Sequence, residues 1–243
     1  MQILIAFALT SLASSAQTRD FEWHGPVARG SFIEIRGING DVRALPSATG
    51  EVEVFAKFEN QETATKVDVQ LVRHEKGVTI CTVFPGESEC RALGEPGPGV
   101  RVNYEVHVPE GVDFLGSTVN GGVEAESLNS DVEAITVNGQ VKVSTSGTLQ
   151  ARTVNGSITA SLLKPFWSKP AQLSTINGAI RLVLPPCAGT ALEAATKNGR
   201  IVTDFNAKGK VTDQEVIGRI GAVGGKRVVL RTINGSIELK RGV

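Results

Sequence analysis

The sequence predicts an all-β protein: a single-stranded β-solenoid, or β-helix, of short strands meeting at Asn-Gly corners and capped by a strand-rich amino-terminal segment. Three observations predict it. The motif T-[VI]-N-G-x-[VI] stands at Thr118–Val123, Thr136–Val141, Thr153–Ile158, Thr175–Ile180 and Thr232–Ile237, with a degenerate copy at Thr196–Ile201 and an early outlier at Gly37–Val42. From Asn120 the copies follow at steps of 18, 17, 22, 21 and 36 residues, near the length of one solenoid coil, the last step being about two coils with one unmarked. Glycine is abundant at 27 residues and aromatics make up only 5% of the chain, as many turns joined by aliphatic strands require.

Each corner has a local reason. β-Branched residues on either side favour extended backbone. Asn and Gly accept positive φ at the least cost, so Asn39-Gly40, Asn120-Gly121, Asn138-Gly139, Asn155-Gly156, Asn177-Gly178, Asn198-Gly199 and Asn234-Gly235 are expected to turn the chain between strands. Leu128–Val132, half a coil beyond Asn120, reads as the opposite corner. The asparagines have two readings. In the structural one their side chains bond along the stack or back to their own turn. In the other they form a polar stripe for a ligand or metal. The residue after each Gly varies freely (Asp41, Gly122, Gln140, Ser157, Ala179, Arg200, Ser236), which suits solvent, and the repeated carboxylates of a metal stripe are absent there. A sandwich of hairpins, each Asn-Gly a two-residue turn, is the rival architecture that the spacing also admits.

At the amino terminus, Ile3–Ala13 is an apolar run followed by Ser14-Ser15-Ala16-Gln17. That pattern reads as a signal peptide cleaved after Ala16, with a buried strand as the alternative; no Lys or Arg precedes the run. The run is too short to span a bilayer, and no later segment is apolar enough. The expected mature protein is exported, to the periplasm, cell surface or medium. It divides into residues 17–116, strand-rich and continuous with the solenoid, and 117–243, the repeat region, with 17–243 as one domain the joint reading.

Between the leader and the repeats the strands alternate. Ile33 and Ile35 oppose Phe32, Glu34 and Arg36; Val52, Val54, Ala56 and Phe58 share a face; Val67, Val69 and Leu71 follow. Gln61–Lys66 is a loop or one helical turn. Cys81 and Cys90 flank a Pro-Gly turn, and in an exported chain this spacing predicts a disulfide worth on the order of 2–3 kcal/mol by loop entropy. Cys187 is left over after Pro185-Pro186 and is expected to be a small buried apolar residue. Gly94–Gly99 is a loop, and Val100–Val108 has the cleanest alternation in the chain. Within the repeats, Lys164–Pro170 lengthens one coil. Its Phe166 and Trp167 are either a protruding contact surface or rings that cap the core from a corner.

The search for chemistry returns no catalytic constellation, cofactor site or metal site. His24, His74 and His107 lie far apart in sequence, outside any metal-ligand spacing, and His107 falls on a polar strand face. Gly218, Gly221, Gly224 and Gly225 have the wrong spacing for a phosphate loop, and an Asn-Gly strand follows rather than a helix. Lys plus Arg and Asp plus Glu both total 25, so no basic excess points to nucleic acid or anionic lipid.

The repeated corners, Ile35–Val42, Val106–Gly111 and the closing Leu230–Leu239 together resemble the bacterial putative-adhesin family, a domain of unknown function, over roughly residues 30–240. The resemblance implies an exported, solenoid-like β domain and supplies no catalytic residues. Lys197 in place of an aliphatic residue and the Phe166-Trp167 insertion depart from the repeat pattern. The functional expectation is a non-enzymatic adhesin-like protein binding a cell-surface, polysaccharide or protein ligand along an extended β face. The alternatives are an envelope scaffold without a dedicated ligand and a β-helix carbohydrate-active enzyme. The last predicts acids or Arg/Lys clustered on one face at neighbouring coils.

Overall fold

A computed structural model describes residues 20–59, 67–84, 90, 100–221 and 225–242, and among them it contains 21 strands and no helix. The leader reading at 1–16, the Gln61–Lys66 segment, the turn between the paired cysteines and the Gly94–Gly99 loop lie outside the described residues. The amino-terminal strands are β1 (Phe21–Gly25), β2 (Phe32–Arg36), β3 (Val42–Pro46), β4 (Val52–Phe58), β5 (Asp68–His74), β6 (Gly77–Val83) and β7 (Val102–Val108). The repeats supply β8 (Asp113–Asn120), β9 (Val123–Leu128), β10 (Val132–Asn138), β11 (Val141–Thr145), β12 (Leu149–Arg152), β13 (Ile158–Leu162), β14 (Ala171–Ser174) and β15 (Ile180–Leu184). The chain closes with β16 (Thr190–Asn198), β17 (Ile201–Thr203), β18 (Lys208–Val211), β19 (Glu215–Ile220), β20 (Val228–Asn234) and β21 (Ile237–Arg241).

These strands form two sheets. The first runs β1-β4-β7-β3-β9-β11-β13-β15-β21-β17 and the second β18-β19-β16-β20-β14-β12-β10-β8-β2-β6-β5. The second sheet is parallel in its middle and antiparallel at both ends, whereas the first is antiparallel only at its β1-β4-β7 end and parallel from β7 to β17. Every Asn-Gly hands the chain from the second sheet to the first, as from β8 to β9, so the flanking strands never pair as a hairpin and the hairpin sandwich is excluded. The Leu128–Val132 turn returns the chain from β9 to β10, in the second sheet, as an opposite corner. Strand alternation puts Val, Ile, Leu and Ala between the sheets, and one core runs from Ile33 to Leu239.

Chain order and spatial order part company at both ends. Asn39 stacks directly on Asn120, because the residues between them make β4 to β7, which pack outside β2 and β3, before β8 and β9 return beside that first coil. At the other end β20 and β21 insert between β14/β15 and β16/β17. The stack therefore reads Asn39, Asn120, Asn138, Asn155, Asn177, Asn234, Asn198. The expected unmarked coil between Asn198 and Asn234 does not exist. Those residues end the sheet instead, as the antiparallel pair β18–β19 laid against β16.

Tyr104 of β7 ties the sheets at the amino-terminal end. It is fully buried, and its hydroxyl lies 2.6 Å from Thr82 Oγ1 on β6. Burial pushes the phenol well above its usual range, against a smaller opposing effect of the Thr82 hydrogen bond. It is the chain's single tyrosine. The unfolded chain ionises near pH 10 and the folded chain only later, so stability falls with rising pH from that point, by about 1.4 kcal/mol per unit. Phenolate absorbance should stay flat past pH 10 and rise only together with the loss of circular dichroism; a reversible rise in the folded protein at pH 10 would contradict the burial.

Candidate binding face

The corners are joined by two sets of side-chain hydrogen bonds and by close backbone approach. Each asparagine donates its Nδ2 to the Oδ1 of its neighbour in the stack, over 2.7–3.0 Å, from Asn120 onto Asn39 through to Asn198 onto Asn234. Each motif threonine is buried and donates its Oγ1 to the glycine carbonyl of the adjacent corner: Thr118 to Gly40, Thr136 to Gly121, Thr153 to Gly139, Thr175 to Gly156, Thr232 to Gly178 and Thr196 to Gly235. The glycines are there for close approach. Of the seven corner glycines only Gly40 has a left-handed φ, at 129°, and no corner asparagine has one. A Cβ on Gly121, Gly139, Gly156, Gly178, Gly235 or Gly199 would instead strike the carbonyl oxygen of the neighbouring glycine. The positive-φ explanation of Asn-Gly is thus replaced by a stacking one.

A second ladder crosses the opposite corner. Asp113 Oδ1 accepts the Asp131 N–H at 3.1 Å, and Asp131 Oδ1 accepts the Thr148 N–H at 2.7 Å while Lys169 Nζ sits 2.8 Å from Oδ2. Burial raises the Asp113 carboxyl. At Asp131 burial acts in the same direction but is outweighed by the Lys169 and Thr148 hydrogen bonds, and the carboxyl is lowered. A pair of acids driven apart in this way is a pattern of catalytic sites, yet both carboxylates here hold the backbone of the next coil.

The cysteines expected to pair, Cys81 and Cys90, form a disulfide with Cα atoms 5.6 Å apart. Arg36 Nη1 donates to the Cys90 carbonyl at 2.8 Å and its Nε to Glu34 at 2.7 Å; Thr79 donates to the other Glu34 oxygen, and His74 Nε2 lies 2.9 Å from Thr79 Oγ1. His74 is therefore part of a structural network, His107 sits between Glu53 and Glu105, and His24 lies 3.7 Å from Glu51. Cys187 is exposed, contrary to expectation. The turn closed by Ala188 N–H on Pro185 O leaves it outside both sheets, while Ala188 takes the buried position. The Phe166-Trp167 pair divides: Trp167 is buried and donates its indole N–H to Lys226 O at 2.7 Å, whereas Phe166 is 64% exposed beside exposed Leu163. Burial against the core thus holds for Trp167 and exposure for Phe166.

The outward residues of the second sheet line a groove that follows the stack. It runs from Glu34, Arg36, Leu115 and Ser117, past Glu133 and Ile135, to Gln150, Arg152, Gln172, Ser174, Val229 and Arg231, and ends at Lys197 and Ile233. Register sorts these into rows. One holds Arg36, Ser117, Ile135, Arg152, Ser174, Arg231 and Ala195; the row beside it holds Glu34, Leu115, Glu133, Gln150, Gln172, Val229 and Glu193. Seven strands at ~4.8 Å spacing make a surface roughly 30 Å long. No residue of these two rows is among the sequence-predicted site residues. The signal was present: every member of the arginine row stands three residues before a corner asparagine, and every member of its neighbour stands five before. Among the described residues no group of His, Cys, Asp and Glu could hold a metal ion, and no helix is long and apolar enough to cross a membrane.

No family model matches the chain, and no curated protein matches it. Solved structures do. A putative cell adhesion protein from Clostridium sporogenes aligns over 92% of this chain and 100% of its own, at 14% identity with a TM-score of 0.50. Putative adhesins from Bacteroides fragilis (10% identity, TM-score 0.37, 91% of this chain and 97% of that one) and Parabacteroides distasonis (14%, 0.29, 92% and 98%) are more distant. The likeness to the Clostridium sporogenes protein is one of fold.

Proposed function

We propose that this chain is an exported, non-enzymatic, adhesin-like protein that holds an extracellular polymer along the outer groove of its second sheet. The observation that carries the reading is the groove itself: an outward surface across seven strands, polar over most of its two rows, with apolar Leu115, Ile135 and Val229 set into them and Ile233 at its end. Residues 17–243 act as one solenoid-like domain, with the leader at 1–16 removed on export, and the Cys81–Cys90 disulfide fits an oxidising compartment. The adhesion name of the Clostridium sporogenes protein, which shares the fold, supports the same role. Glycoside hydrolysis asks for two carboxyl groups flanking the bond to be cut. In this groove Glu34 is committed to Arg36 and Thr79, which leaves Glu133 without a second free acid beside it.

The test is incubation of the purified protein with a panel of cell-wall and extracellular polysaccharides, scoring both retention and chain length. Retention without shortening is expected. Shortening would make the protein an enzyme. An absence of retention across the panel would overturn polymer binding and favour the scaffold.

A further inference from the structure

The middle of the groove has a composition its ends lack. Arg152 on β12 and Arg231 on β20 flank Ser174 on β14 in one row, and Gln150 and Gln172 stand side by side in the next. Together they line a cavity of about 220 Å³. The arginines are two strand steps apart, ~10 Å at the backbone, so each guanidinium needs to lean across a single step to meet above Ser174. Both are exposed. Arg231 touches Glu193 at 3.7 Å, a carboxylate already shared with Arg227 at 3.0 Å, and Arg152 has no ion-pair partner among the described residues. Arg181 on the outer side of the first sheet, by contrast, is paired with Glu238.

We propose that this cluster is the subsite for an acidic sugar residue of the bound polymer, an inference that rests on the groove reading above. The oxyanion, a carboxylate or a sulfate on a sugar ring, lies over Ser174 between the guanidiniums of Arg152 and Arg231. A planar fork of N–H donors matches an oxyanion two oxygens at a time. The Ser174 hydroxyl adds a donor from below, and the Gln150 and Gln172 carboxamides, each both donor and acceptor, face ring hydroxyls. Charge complementarity selects this occupant over a neutral glycan: Arg152 has no ion-pair partner among the described residues and Arg231 shares Glu193 with Arg227, so even with Glu133 at its border the cluster keeps an excess of positive charge. Glu133, opposite Gln150 in the neighbouring row, borders the subsite and keeps it from accepting anions indiscriminately. Arg36, three strand steps beyond Arg152, is already held by Glu34 and Cys90 and takes no part.

The experiment measures binding of three probes to the purified chain: oligogalacturonate, dextran sulfate and uncharged dextran. One or both charged probes should bind, and dextran should not. R152Q/R231Q should lose roughly tenfold per arginine with circular dichroism and melting unchanged. R152K/R231K, which keeps the charge and loses the fork, should fall between that variant and the parent, and R181Q should bind as the parent does. Preference for oligogalacturonate identifies the anion as a carboxylate, preference for dextran sulfate as a sulfate. Binding untouched by R152Q/R231Q, or dextran bound as well as the charged probes, overturns the subsite while retention on the polysaccharide panel leaves the groove reading standing. An empty panel overturns both.

Discussion

Gly139→Ala should be among the most damaging single methyl groups that can be added to this protein. The new Cβ would fall against Gly121 O, Gly121 C and Gly122 N, all backbone, so no flexible side chain can give way. The corners on both sides are fixed as well: Gly139 N–H bonds Asn155 O at 3.0 Å, and Thr153 donates to Gly139 O at 3.0 Å. Relief requires the coils to separate and both ladders to stretch. We expect a loss of about 3 kcal/mol or more, a fall in melting temperature on the order of 10 °C for a domain of this size. Gly30→Ala is the control. Its φ of 81° is left-handed and nothing lies within 4 Å of the added atom, so it should lose only about 1–2 kcal/mol from backbone strain. Equal losses in the two variants would mean that the corners do not approach as closely as the stack requires.

Ending the chain after Gly225 should abolish cooperative folding. In a solenoid stacked in chain order, removal of the last coil trims one end and leaves the rest in place. Here the last coil lies in the interior of the stack. Val228, Leu230, Ile237 and Leu239 are at most 1% exposed, and at roughly 1.5–3 kcal/mol for each buried aliphatic side chain their loss is comparable with the whole stability of a domain. The cut also removes β20 from between β16 and β14, and it leaves β17 without a strand partner among the described residues. Denaturant unfolding and amide exchange of the truncated chain would read this directly. Native protection of β16 and β19, with an unchanged unfolding midpoint, would show that β20 and β21 do not stand between the other coils.

The repeat was legible because its physics is local. Alternation of Val, Ile and Ala with polar residues, broken every coil by Asn-Gly, reports strands and corners without any partner in view, and the Cys81–Cys90 pairing follows from spacing and compartment. The threonine ahead of six of the seven corners carried an equally regular signal whose meaning was not legible. Its acceptor is the glycine carbonyl of another coil, so only contact between coils explains a buried hydroxyl there. Glycine was legible for the wrong reason: turn chemistry predicts positive φ, which only Gly40 has, whereas a carbonyl oxygen from the adjacent strand forbids a Cβ at every one of these corners.

The amino-acid sequence by itself determined that this chain is all-β, where its corners fall, and which residues face inward, because pleat and turn preferences act within a few residues. Only the tertiary structure decided which coil lies beside which. Stacking like corners satisfies the same amides, hydroxyls and aliphatic faces whatever the chain order, so the repeats carry no label of their neighbours. That choice falls to the segments that are not repeats, β4 to β7 and β18–β19, which pack outside the coils and send the chain back into the stack. Their detour puts β20 against β14 and sets Arg231 two strands from Arg152, across Ser174, rather than three.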